Sequence, residues 1–296
     1  MAGQILATTL ARAKTFAKRH RIAIFMTALL MFLLGVAYAI HEAAIDPADI
    51  DPGPFFGIML ILSPLTVLLS ALQLRYAAEA LGQIMPLPSA LTVTAVAMAS
   101  NMLPLPGAYL VRTRALAPNM TGTDIKRAAA INLLAAKQWV ALSVLVFAVV
   151  LTGLLPGWIT VPALVGGIAV LGLNAVLWRK SGFPVRCFGT TLAIQAAMIS
   201  VETARIAFAF AALGATLGIR QAFALSIAAV VGSLAGMVPG GLGVRELSAA
   251  GIALLIAIDP EIAFAATALN RIAGLVVLAI ATGAITWRAA RRKSCA

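Results

Sequence analysis

Six long runs of apolar residues occupy much of this 296-residue chain. Each run comes close to the roughly 20 residues that a helix needs to cross the hydrocarbon core of a membrane. Hydrophobic residues make up 62% of the chain and charged residues only 11%, which leaves too little polar surface to cover a soluble globule. The sequence therefore predicts an all-α, polytopic helical membrane protein of about six spans, at residues 22–40, 54–79, 128–153, 157–178, 187–217 and 262–287.

Two further apolar stretches, 88–104 and 221–238, are each followed by a break rich in proline and glycine. The breaks are similar to one another. "PGAYLVR" at 106–112 and "PGGLGVR" at 239–245 share Pro, Gly, Val and Arg at a shift of 133 residues, and weaker matches flank them in the same order. This similarity predicts an internal repeat, with each break at the tip of a re-entrant helical hairpin.

The basic residues set the expected orientation. Lys and Arg cluster before the first span, between the fourth and fifth spans and at the C-terminal end. The positive-inside rule makes these segments cytoplasmic, so we expect a multi-pass protein of the cell inner (plasma) membrane with both termini in the cytoplasm. Basic clusters at span ends also hold anionic lipids, so the net charge of +12 does not indicate nucleic-acid binding.

In this orientation the two predicted repeats cross the membrane in opposite directions. They occupy residues of about 54–153 and about 187–287. The first span, 22–40, and the connecting span, 157–178, lie outside them. Inverted repeats with broken helices are the architecture of many transporters, because two related halves expose one site alternately to each side. We therefore expect a single integral membrane domain over residues 1–296, with an inverted repeat.

Several charged residues are expected inside the bilayer. A charge near a span centre costs about 2.5–3.5 kcal/mol on insertion scales, so such residues usually pair or line a polar cavity. Glu202 and Arg205, three residues apart, share a helix face and can pair. Mutual neutralisation alone would account for them, which leaves their function open. Arg75 and Glu79 are expected to pair near the inner end of the second span.

The predicted membrane interior has more basic than acidic residues. The sequence does not offer a separate acidic partner for each of four basic residues, Arg112, Lys137, Arg245 and Arg271. The surplus favours an anion, and a half-helix that starts at a break offers free N–H groups and a positive dipole end to phosphate. Arginine adds a planar guanidinium group that binds phosphate oxygens in a bidentate arrangement, and glycine lets a headgroup approach the backbone closely. The predicted headgroup site therefore also includes Glu202, Arg205, Glu246 and the break residues Asn101, Pro106, Gly107, Pro239, Gly240, Gly241 and Gly243. An alternative explanation of the glycines is a tight turn at the protein surface, without phosphate binding. An alternative role for Asn101 is to cap the end of a helix.

Motifs for several other chemistries are missing from the sequence. It has no GxxxxGK[ST] phosphate loop, no HExxH and no cluster of Cys and His. No His stands within reach of the hydroxyl residues in the spans, which disfavours a Ser/His/Asp triad. We therefore predict no cofactor, no metal and no catalytic residue.

Three stretches in the same order resemble the transmembrane domain of lysylphosphatidylglycerol synthase, also called the flippase-like family. These are "NMLPLPGAYLVR", "PGGLGVRE" and "ALNRIAG". The resemblance implies a lipid translocator and places Pro239, Gly240, Gly241, Gly243, Arg245, Glu246 and Arg271 in the family's motif positions. Fused members carry a soluble synthase domain that this chain of 296 residues does not contain. The resemblance therefore implies neither lipid synthesis nor a particular substrate.

These observations lead to one main hypothesis. The chain would move an anionic phospholipid, glycolipid or polyprenyl-phosphate-type lipid between leaflets, with the headgroup between the two hairpins. Arg112 and Arg245 would contact the phosphate, and Lys137 and Arg271 would support it. The alternatives are a membrane-embedded transferase that acts on a lipid phosphate with Glu202 or Glu246 as base, and an accessory subunit of a lipid-modifying enzyme. The sequence does not indicate an oligomeric state.

Overall fold

Helices form the framework of the chain. The computed structural model describes residues 21–294, apart from 44, 102–106, 118, 120, 154 and 235–240. These residues contain no β-strand, which confirms the all-α prediction for the described part. The helices are α1 (Arg21–Glu42), α2 (Pro52–Ala80), α3 (Leu87–Ser100), α4 (Gly107–Ala115), α5 (Gly122–Val150), α6 (Gly157–Lys180), α7 (Val185–Ala212), α8 (Ile219–Ser226), α9 (Ala228–Leu234), α10 (Val244–Leu255) and α11 (Pro260–Ser294).

Five helices, α2, α5, α6, α7 and α11, are long and apolar enough to cross a membrane. They correspond to five of the six predicted spans, so the class of multi-pass membrane protein is confirmed. The remaining predicted span, 22–40, lies in α1, within which Leu29–Glu42 forms a shorter apolar helix. The span predicted to reach residue 217 ends at Ala212, because the chain turns at Gly214 with a φ of 72°. Hydropathy does not detect this turn, since its residues are also small and apolar.

Two helical hairpins lie between long helices. The first hairpin is α3 with α4, and the second is α8 and α9 with α10; in each, the helices before and after the break pack together. The spacing of the helix starts is close to the shift of 133 residues between the two breaks in the sequence. From Pro52 of α2 to Val185 of α7 the offset is 133 residues, and from Leu87 of α3 to Ile219 of α8 it is 132. Both halves therefore have the order long helix, hairpin, long helix.

A glycine allows close contact at the break of each hairpin. A Cβ atom on Gly107 would lie 2.4 Å from the carbonyl oxygen of Ser100. A Cβ atom on Gly241 would lie 2.5 Å from the carbonyl oxygen of Gly232, and Gly241 also has a positive φ of 65°. No side chain fits at these distances, so the backbones meet only because both residues are glycine.

The helices α7 and α11 form the centre of the bundle. Half of the apolar window of α11 is buried, against 17% of that of α6. Alanines make up much of the contact between these helices and α10, including Ala209, Ala249, Ala263 and Ala273. Small side chains let helices approach closely where lipid supplies no hydrophobic force between them. The helix α6 instead exposes Val161, Val165 and Ile168 on its outer surface.

The two close glycines generate a prediction about stability. Gly107→Ala and Gly241→Ala should each lower the free energy of unfolding by about 1–3 kcal/mol, because the added methyl group clashes with a backbone carbonyl. Gly251→Ala, in the exposed part of α10 with no atom within 4 Å of the added Cβ, should be neutral or slightly stabilising. Denaturation in detergent micelles measures all three, and equal values for the three variants would contradict the close contacts.

Candidate functional site

The carboxylate of Glu202 lies at the centre of a buried polar cluster. It accepts from Arg205 Nη1, one turn later on α7, at 3.1 Å, and from Arg245 on α10. Asn270 on α11 donates its Nδ2 to the same carboxylate at 3.0 Å, and its carbonyl oxygen accepts from Arg205 Nη2 at 3.2 Å. The predicted pair of Glu202 and Arg205 is thus confirmed, and Glu202 also joins three helices.

A second ion pair connects α10 to α11. Arg271 Nε lies 2.8 Å from Glu246 Oε1, and Arg271 Nη2 donates to the carbonyl oxygen of Gly241 at 3.0 Å. The other oxygen of Glu246 accepts the backbone N–H of Gly243 at 2.9 Å, which caps the first turn of α10. The sequence predicted that the N–H groups at the start of this helix would be free to bind phosphate, but the N–H of Gly243 donates to Glu246 instead. Phe32 on α1 adds a ring 6.0 Å from the guanidinium of Arg271.

We call Glu202, Arg205, Arg245, Glu246, Asn270 and Arg271 the ion-pair cluster. Glu202 and Glu246 are the buried carboxylates among the chain's ten acidic residues, all of which lie in the described part. Three arginines face these two glutamates, so the cluster carries one positive charge in excess. By residue count, Glu202 and Arg271 lie near the middle of membrane-length helices. The expected positive surplus is therefore present, but it is smaller than the sequence suggested, because Arg245 and Arg271 each have an acidic partner.

Glycines make room for the arginines of the cluster. A Cβ atom on Gly274 would lie 3.0 Å from Arg205 Nη2, and one on Gly232 would lie 2.9 Å from Arg245 Cβ. Gly243, with a φ of 79°, lies directly before α10 and donates its N–H to the Glu246 side chain. Sequence reasoning missed Gly232, Gly274 and Asn270 as site residues. Asn270 had a signal, since it stands beside Arg271 in an otherwise apolar helix.

The first hairpin holds Asn101, Gly107 and Arg112. Asn101 Oδ1 accepts the backbone N–H of Ala108 at 3.1 Å across the break, which is the helix-capping role that was left open. Arg112 is partly buried, and its Nε is buried without a hydrogen-bond partner among the described residues. None of the ten Asp and Glu side chains, all of which are described, forms an ion pair with Arg112. Arg245 Nε is likewise buried and has no partner in the described part.

The structure does not bring Lys137 to the ion-pair cluster. Lys137 is exposed, whereas Trp139 and Ser143 of the same helix face Glu202. Each helical residue turns by about 100°, so Lys137 and Trp139 lie on nearly opposite faces of α5. The expectation that Lys137 supports the phosphate beside Arg271 is therefore not met in this structure. Pro106, Pro239 and Gly240, also predicted for the site, lie outside the described residues.

A small pocket lies beside Glu202, between α5, α7 and the α8–α9 pair. Glu202 is the charged residue of its lining; Ser143 and Ser226 contribute hydroxyls, and Trp139 contributes a ring. The pocket has room for about one water molecule. A pocket of this size is too small for a lipid headgroup. Neither Arg112 nor Arg245 lines it, so it does not join the two hairpins.

One pair expected from helical spacing is wrong. Glu79 forms an ion pair with Arg186, at 2.8 Å between Oε1 and Nη2, and not with Arg75. The helix α7 begins beside the end of α2, so a tertiary partner takes the place of the residue one turn away. Both side chains of this pair are exposed, which makes it a matched surface control for the buried pairs.

No known protein family matches the sequence, and no curated protein is significantly similar to it. The resemblance to the flippase-like family stays a prediction that these comparisons leave untested.

The buried pair of Glu246 and Arg271 should be strongly coupled. Glu246→Gln and Arg271→Gln should each lower the free energy of unfolding by about 3–5 kcal/mol, because each leaves an uncompensated buried charge. The double variant should recover about 1–3 kcal/mol of the summed loss. The same cycle on the exposed pair of Glu79 and Arg186 should give about 0–1 kcal/mol. Additive effects at Glu246 and Arg271 would contradict a direct buried ion pair.

Proposed function

We propose that this chain is an inner-membrane lipid translocator that binds the phosphate of an anionic lipid headgroup. Anionic phospholipids, polyprenyl-phosphate-type lipids and glycolipids that carry a phosphate share this chemistry. The observation that carries the proposal is a pair of arginines at the same position of the two hairpins. Arg112 and Arg245 each keep a buried Nε–H that makes no hydrogen bond within the described part of the chain.

Electrostatics support an anion as the ligand. The ion-pair cluster has one arginine more than its acids, and Arg112 has no acidic partner among the described residues. An unbalanced charge in a poorly solvated site is costly, and a phosphate would balance it. Guanidinium groups bind phosphate oxygens in a planar, bidentate arrangement, which neither lysine nor a neutral donor provides.

The two hairpins suggest how such a site would face each side in turn. The helix α4 packs against α3 and α5, whereas α10 packs against α8, α9 and α11. Arg112 and Arg245 therefore lie on helices that pack against different neighbours. If the hairpins are re-entrant and inverted, as their positions in the repeat suggest, each would present its arginine toward one side of the membrane. A headgroup would pass from one arginine to the other while the acyl chains stay in lipid.

The membrane placement of this proposal follows from the charges. Six spans with the basic clusters inside give both termini a cytoplasmic location, and α1 would be the first span. The loop after α1 carries Asp46, Asp49 and Asp51 and would face outward. The resemblance to the flippase-like family is consistent with this arrangement and with lipid translocation.

The transferase alternative requires a glutamate that acts as a base. Glu202 accepts from three side chains, and Glu246 is held by Arg271 and by the N–H of Gly243. Both carboxylates are thus already occupied by hydrogen-bond donors, and each would have to release a donor before it could contact a substrate. This geometry favours binding over acid–base catalysis.

Arg112→Gln gives the cleanest test of the proposal. Because no carboxylate loses a partner, this variant should unfold at the same denaturant concentration as the parent protein. It should nevertheless slow lipid movement about tenfold or more, since one charged hydrogen bond to phosphate is worth about 1.5–3 kcal/mol. Proteoliposomes with a fluorescent phosphatidylglycerol, quenched from outside by dithionite, measure the rate.

Arg245→Gln should also slow lipid movement, and Arg186→Gln should leave it unchanged, because Arg186 pairs with Glu79 on the exposed surface. If Arg112→Gln and Arg186→Gln move the lipid equally fast, the first-hairpin arginine has no role in translocation. If the parent protein moves no lipid faster than protein-free vesicles do, the proposal fails as a whole.

A further inference from the structure

The pairing within the ion-pair cluster constrains the charge of the ligand. Glu202 has two arginine partners, Arg205 and Arg245, whereas Glu246 has one, Arg271. If Arg245 turned to a ligand, Glu202 would still hold Arg205 and the amide of Asn270. Every other charge of the cluster would remain paired. The guanidinium of Arg245 can therefore leave the cluster without leaving a carboxylate unpaired.

Arg245 is the arginine best placed to change partners. Its side chain is 15% exposed, compared with 8% for Arg205 and 9% for Arg271. Arg205 and Arg271 are each held by an additional backbone carbonyl, of Asn270 and of Gly241 respectively. Arg245 has no such second anchor in the described part.

We propose that Glu202 selects the charge of the headgroup, so that the site takes a singly charged phosphodiester and rejects a doubly charged phosphomonoester. This inference rests on the proposed function and narrows its substrate class. A phosphodiester at Arg245 leaves three arginines opposite three negative charges. A phosphomonoester would bring a fourth negative charge next to Glu202, and like charges close together in a poorly solvated site repel strongly.

Glu202 acts here as a specificity-determining residue, because it sets how much positive charge is left for the ligand. In Glu202→Gln the cluster would have three arginines and one carboxylate, an excess of two positive charges. That excess matches a phosphomonoester. The substitution keeps the shape of the side chain and one acceptor oxygen for Asn270, so it changes mainly the charge.

The test measures binding of two short-chain lipids to the purified full-length protein in detergent at pH 8. Dihexanoyl phosphatidylglycerol is the phosphodiester, and dihexanoyl phosphatidic acid is the phosphomonoester. The parent protein should bind the diester about tenfold more tightly or better, a difference of about 1.4 kcal/mol. Glu202→Gln should reverse this order. Deacylated glycerophosphoglycerol, the free form of the diester, should bind far more weakly than the lipid.

Two further variants help to interpret the binding measurements. Glu79→Gln removes an exposed, paired carboxylate and should keep the parent's preference. Arg205→Gln leaves Arg245 as the sole ion-pair partner of Glu202, so binding of both lipids should weaken. This second variant keeps the inference testable if Glu202→Gln does not fold.

The possible outcomes separate the inference from the proposed function. If Glu202→Gln prefers the diester as strongly as the parent protein does, or if Arg205→Gln binds both lipids as the parent does, charge selection by Glu202 is overturned while phosphate binding stands. If the parent protein binds the deacylated diester as well as the lipid, the ligand is a free phosphodiester, which contradicts the lipid assignment. If the parent binds neither lipid, the proposed function and the inference both fail.

Discussion

The ion pairs around Glu202 and Glu246 are the interaction on which the rest of the structure depends. Buried charges are tolerated only when partners are close and well oriented, so these side chains fix where α7, α10 and α11 meet. Glycines and alanines on the same helices supply the close approach that the pairs need. A bundle held only by apolar contacts in lipid would have no comparable reason for one arrangement of the second hairpin.

The two halves have the same helix order but different chemistry. The residue that corresponds to Glu202 at the shift of 133 is Leu69, so the first half has no carboxylate at the position equivalent to that of Glu202. Arg245 is held in an ion pair, whereas Arg112 is not. If both arginines bind the same phosphate in turn, they would hold it with different strength, because at Arg245 the ligand must compete with Glu202. The proposed passage of a headgroup between the hairpins would then have a preferred side.

Much of the fold is predictable from the sequence, because membrane spans and breaks are local properties. Hydropathy locates the long helices, although it extends α7 through the turn at Gly214. Spacing of three residues correctly pairs Glu202 with Arg205, yet spacing of four wrongly pairs Arg75 with Glu79. The partners of Arg245 and Arg271 depend on helix packing, which no single-helix pattern contains. Lys137 shows the same limit: its place in a long apolar helix was predictable, but the face of α5 that meets the cluster was not.

The central claim is that a lipid phosphate replaces Glu202 as the partner of Arg245. A cryo-electron microscopy map of the protein in nanodiscs of phosphatidylglycerol tests it most directly. The account predicts headgroup density within hydrogen-bond distance of Arg245, with its side chain turned away from Glu202 and with Glu202 still bound to Arg205. Lipid density confined to the membrane surfaces, beside an intact pair of Glu202 and Arg245, would contradict it.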